Sequence, residues 1–289
     1  MSGNAHLLKA TTMGLLEIHI AVLFFGMAGL FGKLVNQPPA VIVFGRVFFA
    51  MAFLLPALGY RKQSLKLDKT SDYLALLVQG LILAAHWGTF FKSIQVSSVA
   101  VGLITFSTFP IFVTFLEPVF SKEQLRSADV GLALVTFAGV FLVVPAFNLD
   151  NTTTRGALWG IASGLTFALL SIMNRKYARA YSSLVVAFYQ DAAAAFFLLP
   201  FLFLPVPSIT LADMLWLALL GIVFTGVAHS LFIRGLAHVK AQTASIIASL
   251  EPVYGILAAT ILLGEPPVLR ELSGGVIILG AALYATARK

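Results

Sequence analysis

The sequence predicts an all-α polytopic membrane protein, ten transmembrane helices arranged as two inverted five-helix repeats. Three observations carry that prediction. Hydrophobic residues make up 59% of the 289 residues and charged residues 11%, with a mean hydropathy of +0.95, whereas soluble domains are about 45–50% apolar and about 25% charged. Apolar runs recur from end to end, each near the ~20 residues that cross a ~30 Å hydrocarbon layer, and they are continuous where a β-barrel would alternate. Finally, residues 92–123 and 234–265 share one plan: a basic residue, a long apolar helix broken by a single proline, then an acidic residue. A shift of 142 positions carries Lys92 to Arg234, Ile104 to Ile246, Ser107 to Ser249, Pro110 to Pro252 and Glu123 to Glu265. The flanks echo it, with His86 against His229, Arg46 against Gln190 and Pro56 against Pro200. The chain therefore reads as a first five-helix repeat over 1–150 and a second, inverted one over 151–289.

Ten spans follow in order, at about 15–34, 39–58, 73–91, 98–119, 127–145, 156–174, 183–204, 211–233, 240–263 and 268–286. Proline, glycine or charge closes most of them, as at Gln37-Pro38-Pro39, Arg61 to Lys69 and Pro205-Val206-Pro207. The first span reads as an uncleaved signal anchor. Of the nineteen Lys and Arg residues, fourteen fall on the side of the N-terminus, four (Lys33, Lys92, Arg155 and Arg270) fall opposite, and Arg46 lies within the membrane. That bias places both termini in the cytoplasm and accounts for the net charge of +7 without a nucleic-acid partner. Five spans per half is an odd number, so the second half enters the membrane inverted, the plan of many secondary transporters.

Zero cysteines exclude disulfides and thiolate chemistry, and no close His/Asp/Glu cluster has metal-ligand spacing, so no metal or cofactor is expected. No phosphate-binding Gly-Lys-Ser/Thr loop is present to couple transport to ATP.

Ionisable groups inside the membrane cost a few kcal/mol each and need a reason. Arg46 sits seven residues from the outer end of span two, about 10 Å deep at 1.5 Å per residue. It either faces a cavity and holds a substrate carboxylate or locks helices by pairing with an acid, for which Asp191, beside Gln190, is the natural partner. Asp191 itself is open to pairing or to proton or substrate binding. Glu251 precedes Pro252, which frees a backbone carbonyl and kinks the helix. A carboxylate there binds a substrate amine, carries a proton, or caps the kink. In the other copy Phe109 precedes Pro110, so the kink is kept without the charge. Gln79, His86 and Phe90 share a face of span three, flanked by Trp87. His229 follows Thr225 by a turn; Trp159, Ser163 and Thr166 share a face of span six; and Tyr254 lies near the face of Glu251. Glu117 reads as interfacial, and Glu123 and Glu265 as caps or interfacial partners. Small residues such as Gly26, Gly131, Gly139, Gly160, Gly164, Gly274 and Ala192 to Ala195 are expected to let helices approach closely.

The two five-helix halves, the Thr-Phe-Pro110 and Leu-Glu-Pro252 breaks, and the Ser-Lys-Glu123 and Leu-Gly-Glu265 helix ends resemble EamA-type members of the drug/metabolite transporter superfamily. The resemblance runs over essentially the whole chain. It implies an inner-membrane carrier, commonly an exporter of amino acids or other small metabolites; the sequence itself leaves monomer and homodimer both open. Its central cavity is lined chiefly by spans one, three, four, six, eight and nine. That supports His86, Trp87, Phe90, Trp159, Ser163, His229 and Glu251 as substrate-binding residues, to which Tyr254 is added from its place near Glu251, and it makes Arg46 and Asp191, on spans two and seven, less direct candidates. The function expected is therefore transport of a small amphipathic solute by alternating access. A membrane-embedded transferase needs a cluster of Asp, His or Asn at catalytic spacing, which the sequence lacks, and a receptor or assembly protein has no need of two matched, kinked halves.

Overall fold

The computed structural model describes residues 2–121, 127–144, 148–205, 207–239 and 241–287. Lys122, Glu123, Arg126, Lys240, Arg288 and Lys289 lie outside them. The described chain is helical, with no strand. In order the helices are α1 (Ser2–Ala28), α2 (Phe31–Leu34), α3 (Pro39–Tyr60), α4 (Thr70–Val96), α5 (Val99–Phe106), α6 (Phe109–Ser121), α7 (Ser127–Val143), α8 (Thr152–Ala180), α9 (Ser183–Leu198), α10 (Leu211–Gly221), α11 (Ala228–His238), α12 (Ala241–Ala248), α13 (Glu251–Leu262) and α14 (Leu269–Ala287). A π-helical segment, Ile222–Val227, joins α10 to α11, and a 3-10 turn, Leu199–Phe203, ends α9. Among the described residues seven stretches are long and apolar enough to cross a membrane: Thr11–Leu34, Pro39–Tyr60, Thr70–Val96, Val99–Phe120, Thr152–Ala180, Ser183–Phe203 and Leu211–His238. Val130–Val143 and Glu251–Leu262 are shorter apolar helices.

Local chemistry explains the boundaries. Pro39 starts α3, where its missing N–H is no loss. The side chains of Ser98, Asn151 and Thr210 accept from the backbone N–H groups of Val101, Thr154 and Asp213 and so cap α5, α8 and α10. Gly264, at φ +67°, terminates α13 in the left-handed conformation that glycine adopts without strain.

The two proline breaks fall at matching places. Chain direction resets at Ser107-Thr108 and at Ser249-Leu250, and the 142-residue shift carries Phe106, the last residue of α5, to Ala248, and Phe109, the first of α6, to Glu251. Both prolines sit in the first turn of the following helix, where a ring is tolerated. The broken helices pack crosswise, α5 on α13 and α6 on α12. Around them α4 packs on α8 and α9, α3 on α9 and α10, α1 on α11 and α13, and α7 on α14.

Lipid supplies no hydrophobic drive between helices, so close approach through small residues matters. A Cβ on Gly26 would lie 2.7 Å from the Glu251 carbonyl, one on Gly160 1.9 Å from Thr105 Oγ1, and one on Gly274 2.6 Å from the Gly139 carbonyl. Gly131 has nothing within 4 Å and takes no part in packing, against expectation. Gly80 is the tightest test, because its Cβ would stand 2.3 Å from Ala193 Cβ and 2.7 Å from the Gln190 carbonyl, and a backbone cannot step aside. Gly80→Val is expected to destabilise by about 1–3 kcal/mol through overpacking, read as a lowered Tm in detergent. Gly88→Ala, with nothing within 4 Å of its Cβ, is expected to leave Tm unchanged or slightly raised.

Candidate functional site

The middle of the bundle holds a narrow cavity of about 30 Å³, lined by Phe25 and Ala28 of α1, Arg46 of α3, Leu83, His86, Trp87 and Phe90 of α4, Phe106 of α5, Phe167 and Leu170 of α8, His229 of α11 and Glu251 of α13. That is room for water only, so an organic solute enters this space when the surrounding helices move apart.

Arg46 is its anchor. α3 presents a wholly buried face along Ile42, Val43, Val47, Ala50 and Leu54, and Arg46, 2% exposed, lies on it. The guanidinium is fixed from two directions. Its Cζ stands 3.6 Å from the centroid of the Trp87 ring, a cation–π stack in a dry site. Its Nε donates to Thr225 Oγ1 at 2.8 Å and its Nη2 to the Phe224 carbonyl at 3.4 Å. Both acceptors belong to the π segment. A π turn carries an extra residue, so its carbonyls fall out of α register and become available to an outside donor. Thr225 Oγ1 in turn donates to the Leu220 carbonyl, five residues back, at 2.8 Å. Arg46 Nη1 makes no hydrogen bond among the described residues and is left for whatever fills the cavity.

The expected direct pair between Arg46 and Asp191 is not formed. Asp191 on α9 is fully buried, neither carboxylate oxygen has a hydrogen-bond partner among the described residues, and it does not line the cavity. It acts on Arg46 through space, as does Glu251. Arg46 instead bonds the π segment and stacks on Trp87.

Glu251 opens α13 directly after the break, 5% exposed on the cavity wall. A carboxylate in the first turn is favoured by the helix dipole. The close approach of Gly26 and Gly255 holds this end of α13 against α1. His86 is oriented by α8: its Nδ1 lies 3.1 Å from the Ser163 carbonyl and 2.9 Å from Ser163 Oγ, while Ser163 Oγ lies 3.1 Å from the His86 carbonyl. A carbonyl only accepts, so Nδ1 is assigned the proton and Nε2 becomes an acceptor. His229 meets the Trp87 ring at 5.6 Å, and its Nδ1 is buried without a partner among the described residues. Phe106 and Phe167 complete an aromatic wall, 5.5 and 5.1 Å from the His86 ring and 5.3 Å from one another.

Of the residues expected from sequence, the cavity thus gathers His86, Trp87, Phe90, His229 and Glu251, with Ser163 immediately behind His86. It adds Arg46, which the resemblance had made a less direct candidate. Trp159 is not among them. It is 42% exposed and lines a lateral groove with Gly88 and Thr89, because the glycines of α8 draw the neighbouring face onto α5 and leave the ring at its edge. Tyr254 is half-buried against Gly26 on α1, outside the lining. Pro110 and Pro252 shape the break. Behind the site runs a polar string that the sequence reading partly missed: Gln190 Nε2 donates to Gln79 Oε1 at 2.9 Å and to Asn174 Oδ1 at 2.5 Å. Asn174, an amide in the middle of an apolar run, was the available signal.

Both ends of the bundle are clasped. At one end Lys33 meets Glu265 at 3.7 Å and donates to the Ser97 carbonyl, and Asp213 accepts from the Asn36 N–H. At the other Arg234 meets Glu17 at 2.9 Å, Arg175 meets Glu117 at 3.4 Å, and the Tyr181 hydroxyl donates to Asp72 at 2.5 Å. That bond holds the Tyr181 proton above the usual phenol range. A recess lined by Tyr60, Arg61, Ser182, Gly226, Ser230 and Arg234 among others enters from this end and reaches the π segment.

The sequence profile of the EamA-like transporter family matches residues 12–144 and 154–287. The chain is 25% identical over 291 residues to an "Uncharacterized transporter YxxF" of Bacillus subtilis (strain 168), covering 97% of this chain and 92% of that protein. It is 26% identical over 255 residues to an "S-adenosylmethionine uptake transporter" of Rickettsia bellii (strain RML369-C), covering 84% and 82%. With "Solute carrier family 35 member G1" of Mus musculus it shares 22% identity over 296 residues, covering 96% and 79%. A crystal structure superposes with a TM-score of 0.69 over 97% of this chain and 96% of that one at 21% identity, a likeness of fold.

Proposed function

Because the chain belongs to the EamA-like transporter family, we propose that it is a secondary transporter of a small amphipathic zwitterion, an amino acid or a related solute, working by alternating access. The observation that carries this reading is the pairing of charges in one aromatic cavity. Arg46, pinned on Trp87 with Nη1 left over, faces the same space as Glu251. A carboxylate on Arg46 and an amine on Glu251 would place an apolar body against Phe90, Phe106 and Phe167. The family domain appears twice, and the two halves are proposed to be inverted, ten helices in all, with both termini on the cytoplasmic side of the inner membrane. Rocking of the halves would break one clasp while keeping the other, and the recess at the Arg234 end supports opening there first.

The resemblance noted from sequence implies export, whereas relatives from Rickettsia are named for uptake of S-adenosylmethionine. One cavity serves either direction, and the gradients set the sign of flux. S-adenosylmethionine is itself an amino acid with a planar base, so it belongs in the panel of candidate solutes. An enzyme reading has no catalytic constellation to rest on among the described residues. The test is uptake and counterflow in proteoliposomes with labelled S-adenosylmethionine and the amino acids. Saturable exchange of at least one is expected. No exchange of any, by protein shown to be folded, would overturn the reading.

A further inference from the structure

Among the described residues, Asp191 is a buried carboxyl that the transport cycle above leaves unused. It is fully exposed to nothing: relative exposure is 0%, and neither Oδ1 nor Oδ2 has a hydrogen-bond partner among the described residues. Buried polar groups in native proteins are nearly always bonded, and an ionised carboxylate without a donor or water is among the costliest things to bury. The helices packed against α9 are α3, α4, α8 and α11, which carry Arg46, His86, Asn174 and His229 among their buried residues. The charge that acts on Asp191 is Arg46.

Arg46 lines the cavity and Asp191 does not. In the arrangement seen here Arg46 is turned to the cavity side, held by Thr225, Phe224 and Trp87. We propose that Asp191 is a proton-binding site of the transporter, and that it shares Arg46 with the anionic group of the solute. With Arg46 engaged toward the cavity, a proton from water on the open side forms an O–H bond on Asp191 and removes the uncompensated charge. When the solute leaves, that O–H bond breaks, the proton returns to water, and the guanidinium swings onto the carboxylate. A guanidinium turned to the cavity is withdrawn from Asp191, so solute and proton bind together and move in the same direction. A proton gradient directed inward then drives uptake. This inference rests on Arg46 as the solute's anion site.

The test compares spectra with and without solute. Infrared difference spectra of the purified protein in nanodiscs, wild type minus Asp191→Asn, are expected to show the C=O stretch of a protonated carboxyl at neutral pH once a transported solute is added, and the Arg46→Gln background to show it with no solute present. In Arg46→Gln that stretch is expected to survive at an alkaline pH where the wild type has lost it. Absence of the stretch overturns the proton site, identical titration in Arg46→Gln overturns the sharing, and loss of the stretch on adding sodium at fixed pH assigns the site to a metal cation instead. In vesicles with a trapped pH dye, panel solutes that enter are expected to acidify the lumen. Alkalinisation overturns the common direction. Failure of the solute reading is separate, since it shows as undiminished counterflow in Arg46→Gln.

Discussion

Arg46→Met is expected to lower solute flux about 100-fold while the protein is recovered from detergent in undiminished yield. The magnitude follows from removing one partner of a desolvated charge pair, which typically costs 2–5 kcal/mol of binding, with about 2.8 kcal/mol giving that factor. The fold should tolerate the change, since Thr225 keeps its bond to the Leu220 carbonyl and methionine fills the aliphatic path to Trp87. Arg46→Lys separates charge from shape. Lysine retains the cation but loses the flat stack on Trp87 and the paired donors toward Thr225 and Phe224. Its flux should fall between wild type and Arg46→Met, about 10-fold below wild type on the ~1–2 kcal/mol worth of those contacts. Flux in Arg46→Met within twofold of wild type would remove Arg46 from solute binding.

Glu251→Gln is the second large effect. Glutamine has nearly the same size and still opens α13 after the break, so folded yield is expected to change little. Transport should drop at least about 10-fold, because a charge-assisted bond to a substrate amine is worth roughly 1.5–3 kcal/mol. A merely structural Glu251, capping its own kink, predicts the reverse: lower yield with flux per molecule preserved. The two measurements are therefore made on the same preparation.

Much of this was legible in the residues. Proline marks its own helix breaks, and Pro110 and Pro252 placed them at the shift found in the structure. Arg46, Asp191 and Glu251 announced themselves because charge within an apolar run is expensive. What stayed hidden depends on contacts between distant helices. The π segment at Ile222–Val227 leaves no compositional mark, so the acceptors that hold Arg46 could not be named, although Thr225 itself stood out as polar. The bond from His86 to Ser163 joins residues 77 apart in sequence. Phe25, Phe106 and Phe167 were lost among 25 phenylalanines, most of which face lipid or pack helices. Trp159 misled because it shares a face with Ser163 on a helical wheel, and a wheel does not show where a tightly packed neighbour stops.

The direct test of alternating access uses the absence of cysteine from the chain. Leu83, 1% exposed on the cavity wall, is replaced by cysteine to give a single reporter. Membrane-impermeant maleimides are then applied separately to right-side-out and inside-out vesicles. Labelling from each side in turn, slowed by a transported solute, is the predicted result. A cysteine at position 83 that reacts from one side alone, under every solute and pH condition, would contradict a cavity that serves both faces of the membrane.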